Sequence, residues 1–273
     1  MSLPPGRAGP LDRVGVVDDD DLLETCHRVV AAVPAALAGL ADWRPDGDRP
    51  GQYALDLTAD RAVLDILDRA GLGVLSEESG LHRPGSELVA VVDPVDGSTN
   101  ASRGIPWYAT SIAVLDAEGP RVAVVANLAS GVRYQAVRGR GAVRGGGAFA
   151  EGVPLAPTGC SSLAGAVVGI SGYPARHLGW AQFRAFGAAA LDLCAVAEGS
   201  LDAFAVCGRA HLAPWDYLGA LLVCGEAGVA VADRDGLDLV TVDFEARRAV
   251  LAAATPDLLT ALTDATRAAD GPI

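Results

Sequence analysis

The chain of 273 residues carries 51% hydrophobic but only 5% aromatic side chains, so its core is built mainly from Ala, Val and Leu in a globular composition. Its 21 basic residues, all arginine, face 34 acidic ones for a formal charge of −13. That balance argues against nucleic acid, whose binding depends on clustered cations, and suits divalent cations or simple solubility.

In chain order, residues 1–17 form a Pro/Gly-rich tail. Residues 18–273 follow as one unit of two lobes, about 18–155 and 156–273, with no composition break or polar linker between them. The Asp run at 18–21 introduces a first helix whose apolar part, "VVAAVPAALAGLA", bends at Pro34. That stretch is too short to span a membrane, and acid stands before it where a signal peptide is positive. "DRAVLDILDRAG" predicts a second helix with Asp60 near its start and Gly71 at its stop.

The period then changes. "GVLSEE", "LVAVVDP", "YATSIAVLD", "RVAVVANL" and "GVRYQAVRG" are short β-branched or alternating runs and predict consecutive strands. "GRGAVRGGGAF" reads as a hairpin and turn, not a phosphate cradle, because neither GxGxxG nor GxxxxGK[ST] is present. In the second half "AGAVVGI" predicts a strand, and "ARHLGWAQFRAF" and "GAAALDLCAVAEG" predict helices. "SLDAFAV" follows as a strand, "PWDYLGALLVCGEAG" as a helix, "VAVAD" and "AVLAAA" as strands, and "TPDLLTALTDATRAA" as a closing helix. The plan is α/β, a sheet covered by helices.

Cys26, Cys160, Cys194, Cys207 and Cys224 are scattered, odd in number and without CxxC spacing, which reads as thiols kept reduced in a cytoplasm. No GxSxG or HExxH occurs, and His27, His82, His177 and His211 show no regular spacing. His211 is the one histidine near an acidic candidate and within reach of a substrate there, although a lone histidine is more often a satisfied polar residue.

Acidic residues recur at element ends: Asp60, Glu77 in "SEESG", Asp93 and Asp96 in "DPVDGSTN", and Asp216 in "PWDYLGALL". Any one of them alone reads as a helix cap or a surface charge; Asp60 and Asp216 as caps would be worth about 0.3 to 1 kcal/mol each. Together they lie where strand ends and helix starts share one edge of an α/β sheet, the edge at which such folds bind ligands. Oxygen donors without His or Cys suit Mg²⁺, Mn²⁺ or Ca²⁺ and not zinc. "GSTN" can open a short helix whose N–H groups favour a phosphate. Metal carboxylates beside an anion site describe metal-assisted phosphoryl hydrolysis.

At these residues the chain resembles a known family. "DPVDGSTN", "SEESG" and "PWDYLGALLVCGEAG" are similar, in the same order, to signature segments of the inositol monophosphatase superfamily, the lithium-sensitive Mg²⁺-dependent phosphatases. The element pattern from about residue 18 onward fits as well. The resemblance implies a layered αβαβα fold, a homodimer, and hydrolysis of a small phosphorylated metabolite without a phosphoenzyme. It implies that Glu77, Asp93, Asp96, Asp216 and the Val95 carbonyl hold Mg²⁺, two or three ions with Mn²⁺ as substitute. Gly97 and Ser98 would offer N–H groups to phosphate, and Ser98 and Asp60, with Glu77, would orient the attacking water. Serine keeps the hydroxyl of the family's threonine and loses only its β-branched stiffness.

The departures concern substrate. An ungapped count places Arg49 where many relatives carry lysine, and Arg209 stands seven residues before Asp216, where inositol enzymes place a sugar-binding glutamate. A donor replaces an acceptor, so inositol phosphate is not the expected preference. Arg209 meets a second anionic group or is simply exposed. The small residues Gly187, Ala188 and Ala189 complete the expected substrate wall. Histidinol-phosphate phosphatase, fructose-1,6-bisphosphatase and nucleotide 3′-phosphatase activities are the alternatives, and a non-catalytic metal- or partner-binding homologue is the reading from another class. Trp215 is expected to pack beneath the metal edge.

Overall fold

The computed structural model describes residues 17–44 and 52–270; the N-terminal tail to residue 16 and Arg49 lie outside them. Helix α1 (Asp19–Leu37) opens as its acidic run requires. The Asp18 carboxylate accepts the Asp20 N–H, and Asp19, Asp20 and Asp21 sit at the positive end of the dipole. The helix runs on past Pro34 for one more turn, burying Leu22, Cys26, Val29, Val30, Val33 and Leu37 along one stripe. Helix α2 (Ala54–Arg69) begins earlier than the sequence indicates. The Asp56 carboxylate accepts the Tyr53 N–H and fixes the start there, so Asp60 lies in the second turn and is buried, not a helix-start cap.

Eight strands form the first sheet: β1 (Gly73–Ser76), β2 (Gly80–His82), β3 (Val89–Asp96), β4 (Ala109–Asp116), β5 (Gly119–Asn127), β6 (Val132–Val137), β7 (Ala142–Gly146) and β8 (Phe149–Pro154). Their order is β2-β1-β3-β4-β5-β6-β7-β8, with only β1 and β3 parallel. β3, β4 and β5 read as near-continuous apolar runs because both their faces are covered. α1 and α2 cover one face through Val29, Val33, Leu55 and Val63 against Val92, Ile112 and Val124.

The other face receives α4 (Ala189–Ala197) and α5 (Pro214–Ala227). Every residue of α4 is buried, as a helix between two sheets must be. The second sheet has the order β10-β9-β11-β13-β12, built from β9 (Val167–Ser171), β10 (Gln182–Arg184), β11 (Ala203–Val206), β12 (Ala230–Asp233) and β13 (Val250–Ala253). α6 (Pro256–Asp270) closes its outer face through Leu258 and Leu262. The layers run α, β, α, β, α.

One predicted helix does not form. Residues 173–181 of "ARHLGWAQFRAF" and its approach are irregular, and 182–184 become β10. Gly179 takes a left-handed φ of 96°, while Leu178 and Trp180 are pulled into the core, so burial of two neighbours overrides helical periodicity.

Candidate active site

The site is built at the C-terminal end of β3. Asp93 pairs with Ser111 of β4 and Asp96 with Ala109, so two residues of β3, Pro94 and Val95, oppose the single Thr110. Pro94 cannot donate to a ladder, and such a bulge re-aims the side chains around it. The Thr110 hydroxyl holds it by donating to the Pro94 carbonyl at 2.8 Å, and the Asp93 carboxylate folds back to accept the Val95 N–H at 2.9 Å.

Gly97 then turns the chain with φ 86°, and α3 (Ser98–Arg103) begins. A Cβ on Gly97 would lie 3.1 Å from Ala188 Cβ, the Gly187 carbonyl and the Trp107 carbonyl. Only glycine permits that approach. Asn100 locks the turn from behind, its amide donating to the carbonyls of Trp107 at 2.8 Å and Phe186 at 2.7 Å.

Two strand ends and one helix start bring carboxylates to this edge. Asp96 accepts the Ala190 N–H of α4 at 2.7 Å, and Asp216, third residue of α5, accepts the Ala213 N–H at 2.8 Å. Asp93, Asp96 and Asp216 therefore each spend one oxygen on a backbone N–H. Glu77 follows β1 and its carboxyl hydrogen-bonds that of Asp93. Burial, then repulsion from Asp216 and Glu78, pushes Glu77 up to about 8. Asp93 is raised well above the carboxylate range by burial and then by Glu77, and Asp96 by burial and then by Asp216. Burial carries Asp216 to about 6 against the pull of Arg247. Carboxyls so arranged cannot all ionise alone and titrate as a set. Among the described residues, no three His, Cys, Asp or Glu side chains stand together as a ready cation cage.

The remaining sequence candidates divide. Gly187 and Ala188 do lie against the Gly97 turn, and Ala189 follows as the first residue of α4. Asp60 accepts the Ser76 hydroxyl at 2.5 Å, and no hydrogen bond joins it to Ser98. Ser76 is the residue before Glu77, so Asp60 reaches the site through its neighbour. Arg209 is exposed in the turn after β11, its guanidinium without a hydrogen bond or ion pair among the described residues. His211 is also exposed and meets the Arg209 carbonyl at 3.0 Å, so it does not join the carboxylates. Trp215 is buried at the start of α5, tilted on Phe244 at 5.0 Å with Arg247 over its ring.

Sequence reading missed Asp192. It is 1% exposed on α4, accepts the Trp107 indole N–H at 2.8 Å, and burial carries it to about 7. The signal was a single carboxylate in the apolar run "AALDLCAVA". The Tyr53 hydroxyl beside that of Thr99, 3.3 Å away, and the Gln52–Glu78 hydrogen bond were likewise invisible, since they join residues far apart in the chain.

Comparison with known proteins gives this geometry its context. The chain is 30% identical over 240 residues, 84% of its length and 91% of the relative's, to a fructose-1,6-bisphosphatase/inositol-1-monophosphatase of Archaeoglobus fulgidus. It is 37% identical over 212 residues, 68% of its length and 74% of the relative's, to an inositol-1-monophosphatase of Mesorhizobium japonicum. Its fold matches the inositol monophosphatase of Anabaena with a TM-score of 0.74 and 24% identity, over 92% of this chain and 96% of that one. The layered frame and these relatives define a phosphoric monoester hydrolase. Within that class, the family model of the inositol monophosphatases matches residues 52–269, and the chain belongs to that family.

Proposed function

We propose that the protein hydrolyses a small phosphomonoester by direct attack of water, with Mg²⁺ as its natural cation and Mn²⁺ as a substitute. The observation that carries this reading is the gathering of Glu77, Asp93, Asp96 and Asp216 at one edge, each raised by burial. Their chemistry fits hard divalent cations: all are oxygen donors, and three keep one oxygen beyond their backbone hydrogen bond. These four, with the Val95 carbonyl, would hold the ions. Bound cations supply positive charge against the phosphoryl oxygens and lower the pKa of water.

The chain's own groups do the rest. The Gly97 and Ser98 N–H groups are assigned to the phosphate oxygens. The Ser98 hydroxyl orients the attacking water with Glu77, and Asp60 acts by fixing Ser76 beside Glu77. Arg209, exposed and unpaired among the described residues, supports a substrate with a second anionic group, such as the bisphosphate in the name of the Archaeoglobus relative. Gly187, Ala188 and Ala189 leave room beside the phosphate for that substrate.

Lithium sensitivity and a cytoplasmic location belong to the same proposal. The latter is supported by thiols rather than disulfides at Cys26, Cys160, Cys194 and Cys224, and no described helix is long and apolar enough to cross a membrane. A homodimer is supported by an aromatic patch at the β10 edge, where Tyr173 is 77% and Phe183 44% exposed.

A phosphate-release screen over sugar, polyol, amino-alcohol and nucleotide phosphates, with and without Mg²⁺, tests the function. Mg²⁺-dependent release led by bisphosphates is expected. No release from any member of the panel would leave a binding homologue in its place.

A further inference from the structure

A second cleft, of about 460 Å³, opens between α1 and strands β6 to β8. β6 is three strands away from β3 in the first sheet, so the cleft is separate from the carboxylate edge. Its charged lining comes from Glu24, His27 and Arg28 of α1, Arg133 of β6 and Glu151 of β8, with Arg144 of β7 on its wall. This concentration of arginine stands out in a chain with 34 acidic and 21 basic residues.

Three observations separate it from an ordinary charged surface. Arg28 and Arg133 share the cleft with two glutamates, yet neither forms an ion pair with them; the one side-chain bond of Arg28 is to the Thr25 hydroxyl at 3.1 Å. Arg144, by contrast, is already held by Glu198 at 2.7 Å and stacked over Phe149, so it shapes the wall. The third is His27. It lines the cleft half-buried, within reach of the charges of Arg133, Glu24 and Glu151 at once.

The geometry points to a remote binding site for a small metabolite with an oxyanion at one end and amine or hydroxyl donors at the other. The oxyanion, a phosphate or carboxylate, meets the guanidinium forks of Arg28 and Arg133, which suit either geometry. The donors meet Glu24 and Glu151. A purely anionic molecule would leave the glutamates opposed, and a purely cationic one the arginines. Gly145 sets the floor: a Cβ there would lie 2.9 Å from the Glu151 backbone and would also strike its carboxylate.

Calorimetric titration of EDTA-treated protein tests the site, because without cations the β3 edge lacks the positive charge that would hold phosphate there. Inorganic phosphate and phosphoethanolamine are the probes. Both are expected to bind saturably, and Arg133→Ala, on an exposed side chain, is expected to weaken both by about tenfold or more. Glu151→Gln is expected to weaken phosphoethanolamine alone. Unchanged circular dichroism of each variant shows that the fold is kept. Heats that do not saturate, or that Arg133→Ala leaves unchanged, overturn the site. Equal effects of Glu151→Gln on the two probes overturn the two-ended ligand. The catalytic proposal is untouched by either result, since it is read from phosphate release with Mg²⁺.

Discussion

Asp93 shows what a buried carboxylate does when its neighbours are also acids. It is 2% exposed, bonded to Glu77, and held against its own preference for water by the β3 bulge. Asp93→Asn keeps an oxygen to accept the Val95 N–H and removes one ionisable acid from the cluster. It should raise the melting temperature of EDTA-treated protein while lowering Mg²⁺-dependent turnover about a hundredfold or more. Differential scanning calorimetry and phosphate release read the two effects; near-normal turnover would contradict the role assigned to Asp93. Asp93, Asp96, Glu77 and Asp216 were legible in the sequence because each follows an apolar run or opens a helix. Asp192 was not, because its partner Trp107 lies 85 residues away and only the packed α4 brings them together.

At the scale of elements, the first sheet was legible for a simple reason. β3, β4 and β5 are covered on both faces, so their sequences are unbroken apolar runs that only buried strands need. The segment 175–186 was misread because its apolar spacing imitates a helix while Gly179 and the edge position of β10 decide otherwise. The start of α2 was misread because the Asp56 cap at Tyr53 precedes the first strongly periodic residue.

The seating of α5 on the first sheet depends on Gly219. A Cβ there would lie 2.6 Å from the Ser111 hydroxyl and 3.4 Å from the Ile112 backbone on β4. Gly219→Ala should therefore force α5 outward and cost about 1 to 3 kcal/mol of overpacking, against a gain below about 1 kcal/mol in helix propensity. Because Asp216 rides on the same helix, turnover should fall with stability. Urea unfolding measures the first and phosphate release the second; an unchanged midpoint would show that the interface yields freely.

For the molecule as a whole, the raised acids make stability depend on pH in an unusual direction. Glu77, Asp192 and Asp216, at about 8, 7 and 6, hold protons in the folded chain that the unfolded chain has already released. Stability of EDTA-treated protein should therefore fall as pH rises from about 5 to 8, and Mg²⁺ should flatten that slope by replacing protons with cations. Thermal melts across this window give the sign directly, and a rising melting temperature without cations would contradict it.

The proposed homodimer is tested at the β10 edge, where Tyr173 and Phe183 are exposed. Phe183→Arg is expected to convert a dimer to a monomer by light scattering after gel filtration, with the melting curve of the monomer showing an intact fold. A dimer that survives would move the interface away from this edge.

The claim on which function turns is that Glu77, Asp93, Asp96 and Asp216 together hold divalent cations. Crystals soaked in Mn²⁺ and measured at the manganese absorption edge test it most directly. Anomalous peaks at about 2.1 to 2.3 Å from oxygens of all four carboxylates are expected. A map without a peak there, with the four side chains turned apart, would contradict the account.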